Sequence, residues 1–246
     1  ALNWNSENKN LLLSKYFNNQ SSIWSVFKEN NIYASNFQPK NLINTPLSNF
    51  LYEEKSTVPY ISQEDLINAL SDSLFLENKF NFIYYPNIDV IAHVFGVNSE
   101  EWIKEIKIFE ELVKKITELS NKKSYTVISA DHGLTNVPKE NRFHITYNEN
   151  VNIYGDQRSV YINGSKKEII EIFSKVPGQL IDRSELNHLL PIPENDFIES
   201  LYPDFCFLVE DKNIIYPHHL KTELAGYHGG LSTEEIKIPI IEISNF

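Results

Sequence analysis

The sequence offers a single thiol, Cys206, no methionine, and a shortage of positive charge: 22 lysines and arginines stand against 33 acidic residues, a formal net charge of −11. One cysteine excludes an intrachain disulfide. That fits a reducing compartment, and equally a secreted protein that needs no covalent staple. The acidic balance argues against a general binder of nucleic acid or anionic membrane, because like charges repel. It leaves room for phosphate ligands wherever a bound metal supplies local positive charge. Apolar runs are short throughout, and none approaches the roughly 18 residues of a membrane span. No leader-like segment opens the chain. It opens on Ala-Leu-Asn-Trp, so the expectation is that the sequence begins inside a longer chain and that methionines have dropped out of it. We expect a cytoplasmic protein, with secretion the alternative.

What is present alternates between strand and helix patterns. Residues 80–85 (FNFIYY) are apolar and aromatic, are followed by Pro86, and predict a buried strand. Asn98 is a helix-capping type with Glu101 three positions on. Trp102, Ile106, Phe109, Val113 and Ile116 then recur at four- and three-residue steps. That is one apolar face of a long amphipathic helix, with the Glu and Lys between them as its solvated side. Asn121-Lys122-Lys123 is read as the turn into a strand at 125–129. Strand, long helix and strand make the βαβ unit of a parallel sheet. Gly155-Asp156 marks a turn. Further strands are expected at 159–162, 205–209 and 238–243, and a helix at 166–174. Near the start, 21–30 reads as a helix leading into a strand at 32–35. The expectation is a single α/β domain over 1–246: a mostly parallel sheet flanked by helices, with a mixed α+β excursion over about 138–225.

Three clusters carry chemistry, each at or near a predicted strand end, where open α/β sheets bind ligands. In YYPNIDVIAHVFG, Asp89 and His93 lie four apart and share a face if the segment is helical. In TVISADHG, Asp131 and His132 follow the strand at 125–129. In AGYHGGLSTEE, His228 sits among Gly226, Gly229 and Gly230, which permit unusual backbone angles and close approach. Carboxylate oxygen and imidazole nitrogen are the usual non-thiolate zinc ligands. Two Asp and three His are too many for one tetrahedral zinc and nearly enough for two metals sharing a site. Taken singly each cluster has a plainer reading: Asp131-His132 as a turn and cap, Asp89 as a helix cap, His228 as a loop residue. Taken together they favour a metal site. His144, His188, His218 and His219 read as surface or core, with His218-His219, after Pro217, the pair placed where it could approach the site.

At these residues the sequence resembles the type I phosphodiesterase / nucleotide pyrophosphatase family of the alkaline phosphatase superfamily. Asp89 and His93, with Gly96 beyond, match its Asp-x3-His motif, and Asp131, His132 and Gly133 match its Asp-His-Gly. Residues 226–235, followed by Pro239, match its Gly-x-His-Gly-Gly-Leu-Ser-x-Glu-Glu run. The resemblance runs from about Ile23 to the end. It implies an alkaline-phosphatase-like fold and a phosphoesterase with two divalent metal ions, zinc being the expected identity. Asp131 and His132 would hold one ion, and Asp89, His93 and His228 the other. The family's first metal also takes an Asp from an early strand and a Thr, the nucleophile. Neither is found here, so both are expected ahead of Ala1. Thr45 is the nearest candidate by type and is assigned as a turn residue.

The resemblance also implies a mechanism. The threonine displaces the leaving group in line, and water hydrolyses the covalent phospho-threonine, splitting one hard step into two. The expected partner is a small phosphodiester or nucleotide, not duplex nucleic acid. Alternatives are another superfamily branch, a phosphomonoesterase or phosphoglycerate mutase, or a non-catalytic metal-binding relative.

Overall fold

Strand-forming aromatics and short amphipathic helices set the layers of this chain. The computed structural model describes residues 22–52, 56–74, 78–120, 124–190, 193, 196–217 and 223–245. The expected turn at 121–123 and His218-His219 lie outside these. Two compact units emerge, one of residues 89–103 and 128–240, the other of residues up to 88, 104–127 and 241 onward. Among the described residues no helix is long and apolar enough to cross a membrane.

In the second unit, α1 (Ile23–Glu29) starts at Ser22, whose hydroxyl accepts from the Ser25 N–H at 3.2 Å. It buries Trp24, whose indole N–H donates to the Leu51 carbonyl at 2.9 Å. β1 (Tyr33–Pro39) extends well past the expected 32–35. Its buried centre carries Asn36 and Gln38, polar residues that break the apolar pattern. They satisfy each other, Gln38 Nε2 donating to Asn36 Oδ1 at 2.6 Å, so burying them costs little.

Next comes α2 (Pro46–Leu51), and Thr45 is its N-cap: the Thr45 hydroxyl accepts from the Ser48 N–H at 3.1 Å in a reciprocal capping box. Thr45 is therefore a helix-start residue rather than a plain turn residue. β2 (Thr57–Tyr60), α3 (Gln63–Leu74) and β3 (Lys79–Ile83) complete a sheet of order β2-β1-β3 in which both pairings are parallel.

The chain then forms α4 (Asn87–Phe95) and α5 (Glu100–Leu119). Asn98 does not cap α5. It takes a left-handed φ of 66°, and the neighbouring Ser99 caps instead, its hydroxyl accepting from the Trp102 N–H at 3.1 Å. Leu112 of α5, a position the predicted apolar face leaves out, packs with Phe37, Tyr60, Leu66 and Leu70, flanked by Phe109 and Ile116 of that face. β4 (Ser124–Ser129) pairs with β13 (Ile240–Asn245), while β3 pairs with β1. Among the described residues, the strands on either side of α5 are not paired with each other. Parallel pairs in this unit include β1 with β2 and β1 with β3.

The first unit holds the excursion. β5 (Thr135–Asn136), β6 (Arg142–Ile145), β7 (Asn152–Gly155) and β8 (Ser159–Asn163) lead to α6 (Lys166–Phe173). Then come β9 (Gly178–Asp182), α7 (Arg183–Leu189), α8 (Asp196–Leu201), β10 (Phe205–Val209) and β11 (Ile214–Pro217). β12 (Gly226–Tyr227) and α9 (Thr233–Ile236) close it. The antiparallel sheet β7-β8-β10-β9 packs Val160, Ile162, Phe207 and Val209 against Ile169 and Phe173 of α6. Burial beside Ile181 and Leu186 pushes the Cys206 thiol up to about 11, away from reactivity. His144 and His188 are both exposed.

Candidate metal centre

The site lies within the first unit and is built where three segments are zipped together. The first is α4. Asp89 stands in its first turn and His93 in its last, one turn apart on the same face, with Asp89 Oδ1 3.5 Å from His93 Nε2. Gly96 ends the helix with φ 90°, and its N–H donates to the Ala92 carbonyl at 2.9 Å. The second segment runs from Asp131 into β5, and the third is β12 running into His228. β5 and β12 pair antiparallel, Tyr227 opposite Thr135.

Short contacts fasten the three. The Asn136 side chain acts as a surrogate peptide: its Oδ1 accepts from the Val97 N–H at 2.7 Å and its Nδ2 donates to the Val97 carbonyl at 2.9 Å. The Ala225 N–H donates to the His93 carbonyl at 2.8 Å. A Cβ at Gly226 would stand 2.4 Å from the Ala92 carbonyl oxygen, so only glycine lets β12 lie this close to α4.

Ring hydrogen bonds assign the imidazole tautomers. His93 Nδ1 lies 2.8 Å from the Gly226 carbonyl oxygen and His132 Nδ1 lies 3.1 Å from that of Gly133. A carbonyl only accepts, so each Nδ1 carries the proton and each Nε2 keeps its lone pair for a ligand. Ligand atoms of Asp89, His93 and His228 all lie within 4.8 Å of one another, a three-donor set. His132 joins from the side: its ring stacks on His228 with centroids 3.6 Å apart, while the His93 and His228 centroids are 5.1 Å apart. Asp131 stands further out. Its carboxylate lies 3.7 Å from His132 Nε2 and its side chain is 78% exposed. The structure thus draws Asp89, His93, His132 and His228 together and leaves Asp131 at the rim.

Burial first, and then the neighbouring His132, hold His228 below the usual histidine value; Asp156 pulls it up, His93 down again and Asp89 up. The neutral ring that results is the ligating form. The folded state therefore resists protonation more than the unfolded chain does. The stability this group contributes is complete above the ordinary histidine value of about 6.5 and is lost as pH falls through that value toward the lowered folded one. Metal-free protein is expected to unfold at lower denaturant concentration as pH drops below about 6.5. His228→Gln should flatten that part of the profile; an unchanged pH profile in the variant would assign the titration elsewhere.

Two charged residues that sequence reasoning gave no role hold the loops. Glu235 was legible only as a letter of the glycine-rich motif, and Arg158 carried no signal at all. Both are buried. Arg158 donates to both Glu235 oxygens, from Nε at 2.9 Å and Nη2 at 2.6 Å. Its Nη1 donates to the Asp211 and Asn213 carbonyls at 2.7 and 2.6 Å. The Glu235 carboxylate also accepts from the Gly230 N–H at 2.8 Å and the Ser232 N–H at 3.3 Å, and its backbone carbonyl accepts from the Gly133 N–H at 2.7 Å. Burial alone would raise the Glu235 carboxyl, but its hydrogen bonds from Arg158, Ser232 and Gly230 and the Arg158 charge outweigh burial and hold it low. Asp156, at the β7–β8 turn, packs against Gly229, where a Cβ would meet its own at 2.9 Å.

Comparison with known proteins gives the family and the fold. A family profile for type I phosphodiesterase / nucleotide pyrophosphatase matches residues 4–186. The chain belongs to that family. The match begins ahead of the expected Ile23 and stops before the Gly226–Glu235 run. No curated protein matches the chain by sequence. Among solved structures, murine ectonucleotide pyrophosphatase / phosphodiesterase 5, as an inactive variant in complex with AMP, is similar at TM-score 0.68 and 14% identity, covering 92% of this chain and 63% of that one. Phosphonoacetate hydrolase from Sinorhizobium meliloti in complex with phosphonoacetate is similar at TM-score 0.63 and 13% identity, covering 90% and 68%. The fold is alkaline-phosphatase-like, and the chain spans less than two thirds of the murine protein's length.

Proposed function

We propose that this chain belongs to a metal-dependent hydrolase of phosphodiester or nucleotide pyrophosphate bonds. The observation that carries the reading is the Asp89–His93–His228 group. One carboxylate oxygen and two imidazole nitrogens suit a zinc-like divalent ion. Asp89 Oδ1 is buried without a hydrogen-bond partner, an arrangement that a cation at this point resolves. Asp131 and His132 are the residues for a second ion beside it. When bound, such a pair neutralises the phosphate oxygens, lowers the pKa of an attacking hydroxyl and stabilises the leaving oxygen.

The chain's own residues orient and hold. The Gly226 and Gly133 carbonyls fix the His93 and His132 rings, and the β5–β12 pair fixes His228. Family membership supports a covalent phospho-threonine route. The murine relative's complex with AMP supports a nucleotide substrate.

The test is hydrolysis of bis-p-nitrophenyl phosphate against p-nitrophenyl phosphate by the zinc-loaded protein at its full natural length. Diester cleavage that a chelator abolishes is the expected result. Monoester preference would favour another branch of the superfamily. Turnover by a verified 1–246 chain would return Thr45 to consideration as the nucleophile.

A further inference from the structure

We propose that the buried Arg158–Glu235 pair is a positioning device that sets the affinity and geometry of the metal centre, an inference that rests on the metal reading above. Glu235 is tied to both loops that flank the His132–His228 stack. Its carboxylate accepts from the Gly230 N–H, two residues after His228, and its backbone carbonyl accepts from the Gly133 N–H, one residue after His132. The two imidazoles face each other at 3.6 Å, so a shift of either loop changes the separation of their Nε2 atoms.

Arg158 supplies what keeps Glu235 in place. Its fork spans both carboxylate oxygens while Nη1 is anchored on the Asp211 and Asn213 carbonyls. The β7–β8 hairpin, part of the excursion, is thereby connected to the metal loops. The glycines of the motif fit this arrangement. A Cβ at Gly230 would meet Arg158 Nη2 and Glu235 Oε2 at 2.8 Å each, and a Cβ at Gly133 would meet the Glu234 carbonyl oxygen at 2.0 Å. These two glycines leave the space in which the clamp closes on the backbone. Groups that orient metal ligands through hydrogen bonds typically change metal affinity by about 10- to 100-fold when altered.

Conservative variants isolate the role. Arg158→Lys keeps the charge but loses the planar fork. Glu235→Gln keeps the shape but turns an amide NH2 toward Arg158 or the loop N–H groups, which are themselves donors. Replacing both, Arg158→Met with Glu235→Leu, removes the buried charges together, an exchange that often leaves stability unchanged or raised, yet leaves the Gly230 N–H without its acceptor. The experiment measures zinc affinity by competition with a chromophoric chelator, with folding checked by circular dichroism and ligand geometry read from the visible spectrum of the cobalt-substituted protein.

We expect both single variants and the double variant to bind zinc about 10- to 100-fold more weakly than the parent while folded, with altered cobalt spectra. Parent-like affinity and spectrum in a folded double variant would show the pair to be structural only and overturn the inference. If the double variant does not fold, parent-like affinity in folded Arg158→Lys and Glu235→Gln overturns it equally. A parent that binds no zinc refutes the metal reading and this inference with it, whereas a parent that binds as its variants do refutes the inference alone.

Discussion

Truncating Arg158 to Ala is expected to destabilise the protein by about 3–5 kcal/mol, the usual result of leaving one member of a buried ion pair without its partner. Glu235 would remain in the interior with its charge facing only the Gly230 and Ser232 N–H groups, and the Asp211 and Asn213 carbonyls would lose their donor. Glu235→Ala should cost a similar amount, because the guanidinium is then the uncompensated charge. Together the two truncations should cost less than the sum of the singles, since each removes the same interaction. Urea unfolding of the four proteins measures this. Losses below about 1 kcal/mol, the range of exposed ion pairs, would mean that water reaches this pair.

Zinc is expected to have an effect of the same size. An ion that binds only the folded form at a thousandfold excess over its Kd stabilises by about 4 kcal/mol. Chelation should remove that increment and added zinc restore it. In His228→Ala, which deletes one of three donors, zinc should shift the melting curve little or not at all. A full zinc shift in this variant would place the stabilising ion elsewhere. An unchanged curve on metal removal, confirmed by elemental analysis, would count against any bound ion in the parent.

Which parts of this architecture were legible depended on whether their causes are local. The periodicity of α5 is a property of consecutive residues, and the helix is where the pattern puts it; its core face centres on Leu112, beside the predicted Phe109 and Ile116. The strand at Phe205–Val209 was legible for the same reason. Asn98 and Ser99 are both good capping residues. Choosing between them needs the backbone angle, and Asn98 is the one that tolerates the left-handed φ. The length of β1 was hidden because Asn36 and Gln38 satisfy each other inside it, a fact about side-chain pairing rather than hydrophobicity. Strand partners were hidden too: nothing local says that β4 pairs with β13 rather than β3.

For the site, residue type and glycine spacing picked out the five candidates. The structure gathers four of them and leaves Asp131 exposed at the rim. The Arg158–Glu235 clamp joins residues 77 positions apart. No spacing rule reaches that far, and a buried arginine at the start of a strand looks like any other arginine in the sequence.

The central claim, that Asp89, His93 and His228 hold a divalent metal ion, is tested most directly by anomalous scattering from crystals of the zinc-loaded protein, measured on either side of the zinc edge. The account predicts a peak bonded to an Asp89 carboxylate oxygen, to His93 Nε2 and to a His228 ring nitrogen, at about 2.0–2.2 Å. A fully zinc-loaded crystal with no peak among these three side chains would contradict it.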